Sequence, residues 1–107
     1  MPELNPDDFA RISTLFVPET VTALAISPDG RHLAIAAGDK VHIHRFPVGA
    51  ATANTLTAAD VPRLVTLYMP EKISALIFSP DGALLTAAAA DKVHIFRVPA
   101  SSNSRTP

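Results

Sequence analysis

The sequence predicts an all-β protein built from two copies of one four-stranded antiparallel unit. The first observation behind this is a repeat. Residues 11–47, RISTLFVPETVTALAISPDGRHLAIAAGDKVHIHRFP, and residues 63–99, RLVTLYMPEKISALIFSPDGALLTAAAADKVHIFRVP, align without a gap at a shift of 52, and 21 of the 37 positions are identical. Most of the other positions exchange one apolar residue for another. The second observation is that each copy divides into short apolar runs separated by turn signals, with SPDG in both, which is the patterning of strands and hairpins.

The elements follow in order. Residues 1–10, MPELNPDDFA, are acidic, carry Pro2, Pro6, Asp7 and Asp8, and offer little to bury, so they read as a disordered lead-in. Residues 11–17 form a candidate strand around Leu15, Phe16 and Val17, ended by Pro18-Glu19. Residues 21–27, VTALAIS, form the second strand and run into Ser27-Pro28-Asp29-Gly30. Serine at the first turn position can bond the backbone, and proline presets φ at the second. Aspartate suits the third, and glycine accepts the left-handed conformation at the end. Residues 33–37 form the third strand, Gly38-Asp39-Lys40 turns the chain, and residues 41–46, VHIHRF, form the fourth, stopped by Pro47. A linker of small and polar residues spans 48–62, with a short helical turn around 57–60. The strand pattern then recurs at 63–69, 73–79, 84–88 and 93–98, and the tail 100–107 reads as disordered. The run Ala83-Leu84-Leu85-Thr86-Ala87-Ala88-Ala89-Ala90 has high helix propensity. Its repeat partner RHLAIAAG reads as a strand, and two copies of one unit should adopt one structure. Strand is therefore expected here, and the small side chains imply close approach by a neighbouring layer.

Composition narrows the function classes. A chain of 107 residues fits one domain or part of one, and 48% hydrophobic content suffices for a core. A formal charge of −1 gives no electrostatic reason to expect nucleic acid or an anionic membrane as partner. The absence of cysteine excludes disulfides and thiolate metal sites. The N-terminus lacks the basic start and apolar run of a secretory signal, and no apolar stretch approaches the roughly 20 residues of a membrane helix. The expectation is a soluble, cytoplasmic protein or a piece of a larger soluble one.

Four short strands joined by tight turns, repeated in tandem, suggest β-propeller blades. The runs VTALAISPDGRHLAIAAGDKVHIHRF and ISALIFSPDGALLTAAAADKVHIFRV resemble WD-repeat blades: an apolar strand into SPDG, a strand of small residues, an aspartate turn, then V-x-I-x. With the outer-strand segments the likeness covers about 70 of the 107 residues. The departures are definite. Pro18-Glu19 and Pro70-Glu71 stand where a Gly-His pair usually opens the repeat, and His44-Arg45 and Phe96-Arg97 stand where Trp-Asp usually closes it. Of the residues that form a buried hydrogen-bond network in the family, only the turn aspartates match, as Asp39 and Asp91. The spacing of 52 also exceeds the usual ~40–45 residues, and the linker accounts for the excess.

The resemblance implies a strand order. The second, third and fourth strands of each unit are the inner three of a blade, and the first strand of the next unit is its outermost. Blade one is then complete with residues 63–69 as its edge, blade two lacks an outer strand, and residues 11–17 have no blade of their own. Both faces of the strands are apolar: Val21, Ala23 and Ala25 alternate with Leu24 and Ile26, and Ile73, Ala75 and Ile77 with Leu76 and Phe78. Two blades cover only one pair of faces, and repeat units generally need about three copies or more. The sequence therefore predicts part of a propeller completed by oligomerisation or by a larger chain. Three copies give six blades and four give eight. In such an assembly Arg11, Thr14 and Phe16 of one copy pair with Val93, Ile95 and Arg97 of the next.

The chemistry-bearing residues point away from catalysis. His42 and His44 face the same way from one strand, a geometry that suits a metal pair. Unit two has His94 but Phe96, however, and no carboxylate pair completes a site. The recurring Asp39-Lys40 and Asp91-Lys92 read most simply as turn chemistry, and Arg45, Arg97, Arg11 and Arg63 as stems packed along blades. No nucleophile elbow or phosphate-cradling glycine loop is present. No catalytic, cofactor-binding or metal residue is assigned, and no cofactor is expected. The predicted function is a protein-interaction or scaffolding module. Its partners are expected at the loops bearing Glu19, Asp39 and Lys40 and their counterparts Glu71, Lys72, Asp91 and Lys92. The alternative is a homo-oligomeric propeller binding a small ligand or carbohydrate. The lack of tryptophan and the single tyrosine leave that alternative little surface for sugar stacking.

Overall fold

A computed structural model describes residues 5–47, 49 and 55–99. The expectations for the start of the lead-in, for residues 48 and 50–54 of the linker and for the tail lie outside the described residues. Among the described residues seven strands form: β1 Val21–Ile26, β2 His32–Ala37, β3 Lys40–Arg45, β4 Arg63–Tyr68, β5 Ala75–Phe78, β6 Leu84–Ala89 and β7 Lys92–Arg97. They make a four-stranded sheet in the order β1-β2-β3-β4 and a three-stranded sheet in the order β5-β6-β7. All the pairings are antiparallel. This is the predicted strand order. The first strand of the second repeat is the edge of the first sheet, and the second sheet is one strand short.

The alanine-rich run adopts strand, as its repeat partner required. Each hairpin turn repeats the same chemistry. The Ser27 hydroxyl donates to Asp29 Oδ1 at 2.6 Å and accepts the His32 N–H at 3.0 Å, while Asp29 Oδ1 also accepts the Arg31 N–H at 3.0 Å. Ser79, Asp81, Leu84 and Ala83 reproduce these bonds at the same lengths. Gly30 and Gly82, both at φ 74°, close the turns in the left-handed region. The loop between β2 and β3 also needs a left-handed residue. Gly38 supplies it at φ 63°, whereas its repeat counterpart Ala90 is held there at φ 57°.

The expected strand over residues 11–17 is absent, which corrects the sequence reading. A strand needs a neighbouring edge, and these residues have none among the described elements. They run as irregular chain, tied to the linker where Ile12 O accepts the Leu56 N–H at 2.7 Å. Pro6–Asp8 close a single 3-10 turn capped through Asn5 and Asp8. The helical turn expected around 57–60 is a 3-10 turn at Ala58–Asp60.

The core lies between the sheets. Ala34, Ala36 and Val41 of the first sheet are fully buried against Leu76, Leu85, Ala87 and Ala89 of the second. The alanines let the inner strands approach closely, and Thr22 Oγ1 on β1 donates across the junction to Ile73 O at 2.7 Å. Ile73 is 2% exposed, and its N–H donates to Gly38 O at 3.1 Å. The sheets are closest at β1 and β5 and splay apart toward β3, β4, β6 and β7.

The outer faces differ. On the first sheet Leu33, Ile35, Ala37 and His42 are buried although they point away from the second sheet. The segment before β1 lies against this side, where Phe16, Val17 and Pro18 line a shallow cleft with His42, His44 and Arg63. Leu24 and Ile26 remain open at 59% and 58% exposure. On the second sheet Ile77, Val93 and Ile95 stand open at 63–64%.

Candidate functional site

Strand direction places the loops at two ends. At one end lie the chain entering β1, the β2–β3 turn, the chain between β4 and β5, and the β6–β7 turn. These carry Glu19, Asp39, Lys40, Glu71, Lys72, Asp91 and Lys92, so the fold brings all seven predicted loop residues to one end. Two equivalent charge clusters form there. Lys40 Nζ donates to Glu19 Oε2 at 2.8 Å and reaches Asp39 Oδ1 at 3.4 Å. Lys92 Nζ donates to Glu71 Oε2 at 3.0 Å and reaches Asp91 Oδ1 at 3.4 Å. Hydrogen bonding to Glu19 holds the Lys40 ammonium above its ordinary pKa, and Glu71 does the same for Lys92. Water screens such exposed pairs, so they define a charge pattern more than they add stability. Asp39, Asp91 and Lys72 are exposed to solvent.

The opposite end is basic. Strand direction places Arg31, Arg45, Arg63 and Arg97 there, together with the acidic side chains of Asp29, Asp60 and Asp81. Between the splayed sheets at this end opens a cleft of about 740 Å³, with apolar walls from Ile43, Leu67, Phe78, Leu85 and Phe96 and with Arg31, Arg45, Arg97 and Asp29 also lining it. Asp29 and Asp81 are held below the ordinary carboxylate value, chiefly by the hydroxyls of Ser27 and Ser79.

Two of the histidines make structural contacts through Nδ1. His42 Nδ1 lies 3.0 Å from Thr66 Oγ1, and His44 Nδ1 lies 2.9 Å from Val61 O. Burial, aided by the Arg63 charge, pushes His42 below its ordinary pKa. Among the described residues no group of three or more His, Asp or Glu side chains is placed to hold a metal ion.

The predicted pairing residues are not brought together within one chain. Arg11, Thr14 and Phe16 are exposed on the irregular segment, Phe16 at 93%, while Val93, Ile95 and Arg97 are exposed on β7. The His42–Thr66 contact was missed from sequence. Its signal was available, because threonine recurs at positions 14 and 66 and histidine at 42 and 94, each pair separated by the repeat shift of 52.

Comparison with known proteins agrees with this architecture. Residues 10–43 match the family model described as WD domain, G-beta repeat. No curated protein matches the chain. Among solved structures, a chain of a mitotic checkpoint complex superposes with a TM-score of 0.65 at 22% identity, over 88% of this chain and 27% of that one. A chain of hydrazine synthase from Kuenenia stuttgartiensis gives 0.59 at 18% identity, over 75% and 27% respectively. A chain from a complex of KlAtg21 with the coiled coil of AgAtg16 gives 0.56 at 23%, over 78% and 25%. The protein thus carries WD-repeat-like propeller blades, and it spans about a quarter of the length of these structural neighbours.

Proposed function

We propose that the chain is a non-catalytic scaffolding module that binds protein partners through the end bearing Glu19, Asp39, Lys40, Glu71, Lys72, Asp91 and Lys92. The observation that carries this reading is the duplication of one Glu–Lys–Asp cluster at the same end of both blades, which presents two like-patterned charged patches on rigid turns. A partner with alternating acidic and basic side chains complements such patches, and electrostatic matching supplies selectivity and encounter rate. Two of the three structural neighbours come from complexes, which supports a binding role. WD-repeat propellers are generally non-enzymatic, which goes with this reading. A cytoplasmic site of action goes with this reading. So does self-association, which would cover Leu24 and Ile26 on one outer face and Ile77, Val93 and Ile95 on the other. Three or four copies then close a ring.

The test is affinity capture with the full chain and with a Glu19→Lys/Glu71→Lys variant, followed by titration of the captured protein in purified form. The reading expects partner affinity to fall about tenfold or more in the variant. Unchanged affinity refutes the assignment of this end. The inter-blade cleft favours a second reading, a small apolar anion seated between blades of a homo-oligomer. Ligand and glycan arrays read it directly, and binding abolished by Arg45→Ala but indifferent to Glu19→Lys/Glu71→Lys would establish it over the first.

A further inference from the structure

We infer that His42 and His94 are positioning residues for the charged end of the fold. Each ring turns its Nε2–H on the second carboxylate oxygen of its blade's glutamate, so that Glu19 and Glu71 are each gripped between a lysine and a histidine. Its functional meaning rests on the protein-binding reading above, since it names what fixes the shape of the two charged patches.

Each carboxylate is only half used. Lys40 Nζ donates to Glu19 Oε2, and Lys92 Nζ donates to Glu71 Oε2. Oε1 of both glutamates is buried with no hydrogen-bond partner among the described residues, and so is Nε2 of both histidines. Buried polar atoms are nearly always paired, because an unpaired one has given up its hydration for nothing. In the second blade the two unpaired atoms lie 3.8 Å apart. An N–H···O bond forms near 2.9 Å, so a closure of about 0.9 Å satisfies both at once. In the first blade burial and the Arg63 charge lower the His42 pKa while the Glu19 charge raises it, which places that carboxylate within electrostatic reach of the ring.

The tautomer of His42 points the same way. Its Nδ1 lies 3.0 Å from Thr66 Oγ1. With the proton on Nδ1, a bare Nε2 would set its lone pair against a carboxylate, two acceptors facing each other. With the proton on Nε2, the Thr66 hydroxyl donates to Nδ1 and Nε2–H donates to Glu19 Oε1, so every group has its complement. The ring is 4% exposed, so solvent gives Nε2 no ready alternative. The bonds then run in one direction, from Thr66 on β4 through His42 on β3 to Glu19 ahead of β1, where Lys40 and Asp39 complete the cluster.

The whole set is duplicated. Glu19, Asp39, Lys40 and His42 recur 52 positions on as Glu71, Asp91, Lys92 and His94, and the same two unpaired atoms recur with them. The charges around the two rings differ. His42 feels Arg63 from β4, Lys40 and His44 from its own strand, and Glu19 as the acidic group. His94 has Glu71 beside it, already bonded to Lys92, and Phe96 stands where the first blade has His44. Protonation of His94 therefore completes an ion pair, whereas protonation of His42 adds a cation among cations.

The experiment is proton–nitrogen correlation NMR of the histidine rings in the full chain, well above their titration range. Both rings are expected as Nε2–H tautomers whose ring protons exchange slowly enough with water to be seen. Glu19→Gln keeps an acceptor and removes the charge, so the titration midpoint of His42 should fall by about one pH unit. The carboxyl carbon resonance of Glu71 should move in His94→Asn and stay in place in His94→Gln, whose amide reaches the position of Nε2; Glu19 should respond likewise to His42→Asn and His42→Gln. An Nδ1–H tautomer at either ring in the wild type, or a His42 midpoint that Glu19→Gln leaves unmoved or raises, overturns the inference, as do glutamate resonances that respond alike to asparagine and glutamine. No partner enters these measurements, so their failure leaves partner binding at this end standing, and unchanged partner affinity in Glu19→Lys/Glu71→Lys leaves the histidine grip standing.

Discussion

Ile73 joins the two blades, and its truncation gives the sharpest test of where stability resides. The side chain is 2% exposed within the core cluster, and its backbone is held from both directions by Thr22 Oγ1 and Gly38 O. Ile73→Ala removes three carbons worth about 0.8 kcal/mol each, roughly 2.4 kcal/mol, and leaves a cavity whose walls are two sheets that cannot easily collapse together. The expected loss is therefore about 3–4 kcal/mol, within the usual range for such truncations. Ile73→Val should cost about 0.5–1.5 kcal/mol. Ile77→Ala, on the open face at 64% exposure, should cost less than about 0.5 kcal/mol in the dissociated protein. Urea unfolding followed by circular dichroism, at concentrations where the mass is that of a monomer, measures all three. A loss below about 1 kcal/mol for Ile73→Ala, or one no larger than that for Ile77→Ala, would refute an inter-sheet core centred on this residue.

Three further outcomes follow from local geometry. Ala90→Gly should stabilise the protein by roughly 0.5–1 kcal/mol in the same assay, because it relieves the left-handed strain that Gly38 avoids in the first repeat. Ser27→Ala should cost about 1–2 kcal/mol, since Ser27 is 5% exposed and its loss leaves the His32 N–H without its side-chain acceptor and Asp29 with the Arg31 N–H alone; Ser79→Ala breaks the same bonds in water and should cost about half as much or less. Burial lowers the folded-state pKa of His42 below its unfolded value of 6.5, so the unfolded chain takes up the proton first as pH falls. Stability should therefore decline from about pH 6.5 down to the folded-state value, and His42→Asn should flatten the unfolding free energy across that window.

The repeat made the β1–β7 strand order legible, because a 52-residue shift can be read directly from identical SPDG turns and V-H-I runs. It also resolved the alanine run, where intrinsic propensity alone favours helix but the paired copy and the inter-sheet spacing favour strand. Residues 11–17 misled for the same reason that they matter. Their pattern is that of a strand, but pairing needs an edge, and edges are set by the assembly and not by the segment. The placement of the seven charged loop residues at one end was legible because loops of known strand direction must converge. The basic end and its cleft were not, since Arg31, Arg45 and Arg97 are scattered in sequence and meet only when the sheets splay.

The first sheet takes its edge strand from the second repeat, so the unit that was copied and the unit that folds are out of phase. Cutting the chain between the repeats does not yield two intact sheets, because the first fragment loses β4. A third copy inserted at the same 52-residue spacing would instead supply the edge that β7 lacks and expose an identical vacancy one blade further on. Growth by duplication can thus lengthen such an array indefinitely at constant local cost, and only a joint between its two ends brings it to a stop.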